Sequence, residues 1–247
     1  MTDQEWPNRV AVVTGGSDGL GFDFCRALVE RGCRVYFCAR NEERGLRAAE
    51  ATGAHFFQAD LSIPAEVTAF ADHIRQTEGR VDYLVNNVAN DDRIPFGNVT
   101  PDECDRMWQV NLRSYLLTTH ACLDLLQAGE GKSVVNIGTT NYMMGFVEMT
   151  LYNAAKSGIV GFTRSLGREL GPEGIRVNMV SPGWIMTSKQ LKQYVTPEDK
   201  KALLQEQSLK FLLEPKHVTP VVLFLLSSDG VGMTGQNLVV DGGKILQ

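Results

Sequence analysis

Long apolar runs are missing from this sequence. The most apolar stretch, residues 218–226, is broken by Pro220 and is far short of the ~20 residues that a bilayer-spanning helix needs. Cysteine is sparse as well: Cys25, Cys33, Cys38, Cys104 and Cys122 are scattered, odd in number and without metal-ligand spacing. That argues against a disulfide scaffold or a metal site and suits a reducing compartment, with most of the thiols packed in a core. A basic excess is absent too, since 24 Lys and Arg against 29 Asp and Glu leave a net charge of −5. Nucleic acid therefore has no electrostatic footprint to bind. The segment from Met1 to Pro7 is polar and acidic, without a signal-peptide profile, and a cytoplasmic location is expected. No internal repeat or linker-like composition divides the chain. We expect a single domain over residues 1–247, with its core at about 9–243, acting on a small molecule with neither membrane nor nucleic acid as partner.

What is present looks globular and enzymatic. Apolar residues make up 43% and charged residues 21% of the chain, both ordinary for a globular protein. The stretch that organises the rest is residues 150–158, T-L-Y-N-A-A-K-S-G. Tyr152 and Lys156 stand four apart, so on a helix they share a face. An ammonium beside a phenol favours the phenolate and is expected to lower the Tyr152 pKa, making it an acid/base near neutral pH. Upstream, Thr139 follows the apolar run 134–137, and its hydroxyl at a strand end can donate to a substrate oxygen. Thr140 is the alternative donor if the register shifts by one. Taken alone, such a Tyr/Lys pair is more often a solvated helix face; its company changes the odds.

Residues 9–14, R-V-A-V-V-T, read as a strand buried on both faces. They lead through Thr14-Gly15-Gly16-Ser17-Asp18-Gly19-Leu20-Gly21 into an amphipathic helix over 22–31. Strand, glycine turn and helix form the context in which backbone N–H groups can cradle a cofactor pyrophosphate. The spacing of Gly15, Gly19 and Gly21 differs from the G-x-G-x-x-G of larger dinucleotide-binding folds. A second strand, 34–38, ends at Ala39-Arg40. An acid there would accept from the ribose diol of NAD, whereas an arginine suits a 2′-phosphate, so NADP is expected, with NAD as the alternative.

Helix Glu42–Thr52 leads to strand 55–59 and then Asp60-Leu61. Asp60 is placed to meet an adenine edge or, equally, to serve as a turn residue for the helix after Pro64. Strand 81–85 runs into Asn86-Asn87-Val88-Ala89. Thr100, Pro101 and Glu103 predict a capping box opening a helix that continues through Trp108 and Asn111 towards Leu126. Asn111 in mid-helix either bonds back to its own helix or opens it locally to hold a water. Strand 176–180, a polar helical segment over 188–210, helix 218–227 and strand 238–240 follow. Alternating strands and helices predict an α/β fold: one Rossmann-like, doubly wound parallel sheet with helices on both faces.

Thr14-Gly15-x-x-x-Gly19-x-Gly21, Asn86-Asn87, Asn111, Tyr152-x-x-x-Lys156, Pro182-Gly183 and Asp241-Gly242-Gly243 stand in the order and spacing of the short-chain dehydrogenase/reductase family, which the chain resembles over about 9–243. The resemblance implies a nicotinamide cofactor, hydride transfer at a carbonyl or carbinol carbon, and a homotetramer or homodimer. By position, Tyr152 is implied as acid/base, Lys156 as its activator and ribose anchor, Thr139 as the substrate-oxygen donor and Asn111 as holder of a relay water. Gly15, Ser17, Asp18, Gly19, Leu20 and Gly21 would hold the pyrophosphate, and Asp60 and Leu61 the adenine. Asn87, Val88 and Ala89 would line the cofactor's interior side, with Pro182, Gly183, Ile185 and Thr187 about the carboxamide. Three departures stand out: Thr139 replaces the usual serine, Val88-Ala89 the usual Ala-Gly, and Asp18 puts an acid near the phosphates, against NADP.

The segments 90–93, 111–113 and 182–190 resemble the family's branch that oxidises aldoses at C1. Asn90, Asp91, Arg93 and Asn141 would suit sugar hydroxyls, although Asp91 and Arg93 read equally well as a solvated loop ion pair. Tyr142, Met143, Met144, Phe146, Trp184 and Met186 would give the mouth an apolar, aromatic character that suits a bulkier ketone or 3-oxoacyl thioester. Residues 188–215 are expected to form a mobile substrate-side segment. A cofactor-binding regulator without turnover is the alternative of a different class, and the complete Tyr/Lys/Thr set speaks against it.

Overall fold

The computed structural model describes residues 5–246. Strand β1 (Val10–Thr14) is buried along its whole length. Its side chains alternate between two cores: Val10 and Val12 enter one, Ala11 and Val13 the other. A strand that must fill both has no place for a polar alternation, which is why its sequence shows none. Helix α1 (Gly19–Val29) follows directly from the glycine turn, three residues before the expected Phe22, because Asp18 caps it by accepting from Gly19 N at 2.7 Å. Next come β2 (Arg34–Ala39), α2 (Glu42–Thr52), β3 (His55–Gln58) and α3 (Pro64–Thr77). Helix α2 ends at Gly53, whose φ of 77° closes the helix in the left-handed region.

The chain then returns to the other side of β1 with β4 (Tyr83–Asn86). Helix α4 (Pro101–Trp108) opens with the expected capping box, Thr100 Oγ1 accepting from Glu103 N at 3.3 Å and Glu103 Oε2 from Thr100 N at 2.9 Å. The single helix expected from there to Leu126 is interrupted. A π-helical turn at Gln109–Arg113 separates α4 from α5 (Ser114–Ala121), and α6 (Leu123–Ala128) begins after Cys122. Asn111 lies inside that turn, where a wider backbone ring frees its side chain to reach a neighbouring loop.

The second half comprises β5 (Ser133–Ile137), α7 (Asn141–Met144), α8 (Thr150–Leu170), β6 (Arg176–Pro182), α9 (Ser188–Gln193), α10 (Pro197–Glu206), α11 (Pro215–Leu226) and β7 (Asn237–Val240). Among the described residues, seven parallel strands order as β3-β2-β1-β4-β5-β6-β7. One core holds α1 and α11 residues such as Phe24 and Val222 against the sheet, and the other holds Phe70, Ile74 and Leu125 from α3 and α6. The winding reverses between β1 and β4, and such a reversal leaves a crevice beyond the carboxyl ends of the strands. Four cysteines are buried, Cys104 is exposed, and all five are free. Among the described residues no helix is long and apolar enough to cross a membrane, and no cluster of metal-ligating side chains occurs.

Candidate active site

Across that reversal, Asn87 joins the two half-sheets. Its backbone N–H donates to Thr14 Oγ1 at 2.8 Å and its Nδ2 to Thr14 O at 2.9 Å, while Val88 N reaches the same hydroxyl at 3.1 Å. Beyond this staple the loops enclose a cavity of about 490 Å³. Gly15, at φ +70°, Ser17, Asp18 and Leu20 form its wall over the start of α1. Gly19 and Gly21 were expected in that wall but act from behind it. A Cβ on Gly21 would fall 2.2 Å from Gly15 O, so α1 can seat its first turn on the glycine loop only without one. Gly19, at φ +57°, packs towards Thr187. A glycine cradle at a helix N-terminus, opening into a cavity of this size, fits the diphosphate of a dinucleotide.

At one end of the cavity stand Ala39, Arg40, Ala59, Asp60 and Leu61. Asp60 Oδ1 accepts from Ser62 N at 2.9 Å, which is the turn role, while Oδ2 lies 3.8 Å from Arg40 Nη1. The guanidinium side chain is 69% exposed. Val88 and Ala89 line the cavity on one side, and Pro182, Gly183, Ile185 and Thr187 line it on the other.

Tyr152, Lys156 and Thr139 meet at the far end. Helix α8 carries the first two on its buried face, and Thr139, just past β5, lowers the pKa of the Tyr152 phenol. Thr140 is not in the wall; its hydroxyl donates to Pro182 O at 3.3 Å. Around this centre lie Asp91, Arg93, Asn141 and Trp184, together with Lys189 and Gln190, whose roles the sequence left undrawn. Met144, Phe146 and Met149 add an apolar side.

This geometry corrects three expectations and decides between the two readings of Asn111. Asn111 lies behind the wall: its Nδ2 donates to Asn90 O at 2.9 Å and Met107 O at 3.1 Å, and its Oδ1 accepts from Asn90 N at 2.8 Å. Asn90 is likewise spent on that contact and on Asp92 rather than facing the cavity. Tyr142 turns away, its hydroxyl accepting from Asn237 Nδ2 at 3.0 Å. Finally, Lys156 does not hold the Tyr152 phenol down. Burial, with the negative charge of Asp91, raises the Tyr152 pKa against the lowering influence of Thr139. Burial also pushes Lys156 down to about 7 against the pull of Asp91, so the amine carries only part of its charge at neutral pH. Its Nζ points elsewhere, 2.8 Å from the hydroxyl of Tyr115 and 2.9 Å from Ile137 O. Sequence reasoning missed Tyr115; the signal was its place one helical turn after Asn111.

Residues 15–244 match the family profile described as Enoyl-(Acyl carrier protein) reductase. The chain is 36% identical to the "Probable galactose dehydrogenase GalD" of Rhizobium meliloti (strain 1021), over 96% of this chain and 94% of that protein. It is 37% identical to the D-xylose 1-dehydrogenase of Caulobacter vibrioides (strain NA1000 / CB15N), over 94% of each chain. A crystal structure from Sinorhizobium meliloti 1021, ascribed to a short-chain alcohol dehydrogenase, superposes with a TM-score of 0.89 at 26% identity, covering 96% of both chains.

Proposed function

We propose, on the footing that this chain belongs to the short-chain dehydrogenase/reductase family and is an NAD(P)-dependent oxidoreductase of carbinol and carbonyl carbons, that its substrate is an aldose oxidised at C1. The observation that carries this is the polar set Asp91, Arg93, Asn141, Lys189 and Gln190 grouped about Tyr152 and Thr139. A sugar presents hydroxyls that can bond this half-buried set, in which Asp91 already pairs with Lys189 and Gln190, whereas an apolar ligand would cover those groups without bonding them. The bound nicotinamide supplies the hydride acceptor. Thr139 orients the reacting oxygen through its hydroxyl, and the Tyr152 phenol exchanges the proton at that oxygen. Lys156 is the ribose anchor, and its buried amine keeps part of its charge beside the phenol.

A second reading is reduction of a bulky ketone or 3-oxoacyl thioester, favoured by Met144, Phe146, Met149 and Trp184 in the same cavity. Cofactor turnover followed by nicotinamide absorbance against D-xylose, D-galactose, polyols and cyclic ketones separates the two. The sugar reading predicts the highest kcat/KM with an aldose; turnover confined to ketones overturns it.

The preferred cofactor in this reading is NADP. Ala39 offers no carboxylate to a ribose diol, and the exposed Arg40 is free to swing onto a 2′-phosphate. Asp18 opposes this, but its Oδ1 is engaged by Gly19 N. Exposed Trp108 and Leu116 on α4 and α5 support a homodimer or homotetramer, which sedimentation velocity tests. Five free thiols are in keeping with a cytoplasmic location.

A further inference from the structure

Tyr115 is fully buried on α5 and has no part in the reading above. Its hydroxyl lies 2.8 Å from Lys156 Nζ and 3.0 Å from Ile137 O, and Nζ itself reaches Ile137 O at 2.9 Å. An ammonium only donates and a carbonyl only accepts, so the phenol accepts from Lys156 and passes its own hydrogen to Ile137 O. Nζ also sits 4.7 Å from the Tyr115 ring centroid, nearer than its 5.9 Å to the Tyr152 ring. Among the described residues no carboxylate forms an ion pair with Lys156.

We propose that Tyr115 is a positioning residue for Lys156, its ring and phenol oxygen fixing the ammonium against the end of β5 beside Tyr152. Without such a partner the buried amine would lose its charge still more readily than it does, because burial is the largest influence on it. The Tyr115 phenol stays protonated, since burial holds its pKa well above the ordinary tyrosine value. It therefore acts as a fixed dipole, and its hydrogen ends on a backbone carbonyl that cannot pass it on. The other titratable groups facing Lys156 are Tyr152 on its own helix and Asp91 from the loop after β4, the latter paired with Lys189 of α9. Strand β5 presents the Ile137 carbonyl, which Nζ reaches at 2.9 Å.

This proposal rests on the reading of Lys156 as partner of Tyr152 and ribose anchor. Tyr115→Phe keeps the ring and removes the oxygen. Binding of NADPH or NADH, whichever the wild type holds more tightly, is followed by cofactor fluorescence between about pH 6 and 9, alongside kcat/KM for D-xylose. We expect the transition assigned to Lys156 to fall by about one pH unit in the variant, with cofactor affinity at neutral pH reduced about tenfold. A packing role alone would move the melting temperature and leave the transition in place. If Tyr115→Phe folds poorly, Tyr115→Met fills the space with a flexible apolar side chain and carries the same displacement. A binding profile without a transition in the wild type, or one that both variants leave unmoved, overturns the proposal. Should the wild type turn over no aldose, the substrate reading fails while the binding profile still decides on Tyr115.

Discussion

The carboxylate of Asp91 accepts a hydrogen bond from the side-chain amide of Gln190 at 2.6 Å, tying the loop after β4 to α9 across the mouth of the cavity. Lys189 pairs with the same carboxylate. Trp184 Nε1 donates to Gln190 Oε1 at 2.8 Å, and the Arg93 guanidinium lies 4.5 Å from the Tyr194 ring centroid and 5.9 Å from that of Trp184. Residues far apart in sequence thus share one hydrogen-bonded wall.

Breaking that wall should affect substrate before cofactor. Asp91→Ala is expected to raise KM for an aldose about tenfold or more, with the cofactor dissociation constant within about threefold of wild type. Steady-state kinetics and a cofactor titration on the same preparation check this. An unchanged KM would mean that Asp91 only tethers α9.

Tyr152→Phe should abolish turnover, a loss beyond the ~10²–10⁴-fold worth of general acid–base catalysis, because orientation of the substrate oxygen goes as well. Thr139→Ala should cost about 2–4 kcal/mol of transition-state stabilisation, and Thr139→Ser should be nearly silent. Thr140→Ala should leave kcat/KM close to wild type, since its hydroxyl faces Pro182 O behind the wall. Measured kcat/KM values for the four variants decide it; a larger loss at Thr140 than at Thr139 would contradict the geometry.

Lys156 makes stability depend on pH in a definite direction. Its pKa falls from 10.5 to about 7 on folding, so between those values the unfolded chain holds a proton that the native protein has released. Stability then rises with pH across this window, and the cost of burying the ammonium is complete below about pH 7. Lys156→Met lacks that term. Its stability relative to wild type should be greatest below the window and should decline as pH rises through it, as urea denaturation at acidic and alkaline pH will measure. A stability difference independent of pH would show that the native amine titrates normally.

Competitive titration of NADP against NAD should favour NADP. Ala39→Asp with Arg40→Ile should reverse that preference by supplying an acceptor for the ribose diol and removing the phosphate's partner. Tighter NAD binding by the wild type would mean that repulsion from Asp18 outweighs Arg40.

Much of this protein was determined locally, and the physics of local structure explains which part. Apolar strands such as Val10–Thr14 must be buried on both faces, and Thr100 with Glu103 must start a helix, wherever they sit in a fold. The four-residue spacing of Tyr152 and Lys156 puts them on one helical face before any tertiary contact is made. Spacing along a chain, however, says nothing of where a side chain finds its hydrogen bonds or how dry its surroundings are. Only the packed structure decided that Asn111 and Asn90 satisfy each other behind the cavity wall and that Tyr142 turns to Asn237. Tertiary packing also brought Tyr115 to Lys156, from a residue 41 positions away, and buried both. The same burial raised the Tyr152 pKa that adjacency alone would have lowered, because desolvation acts on every charge in the site and a neighbouring ammonium helps only while it keeps its own.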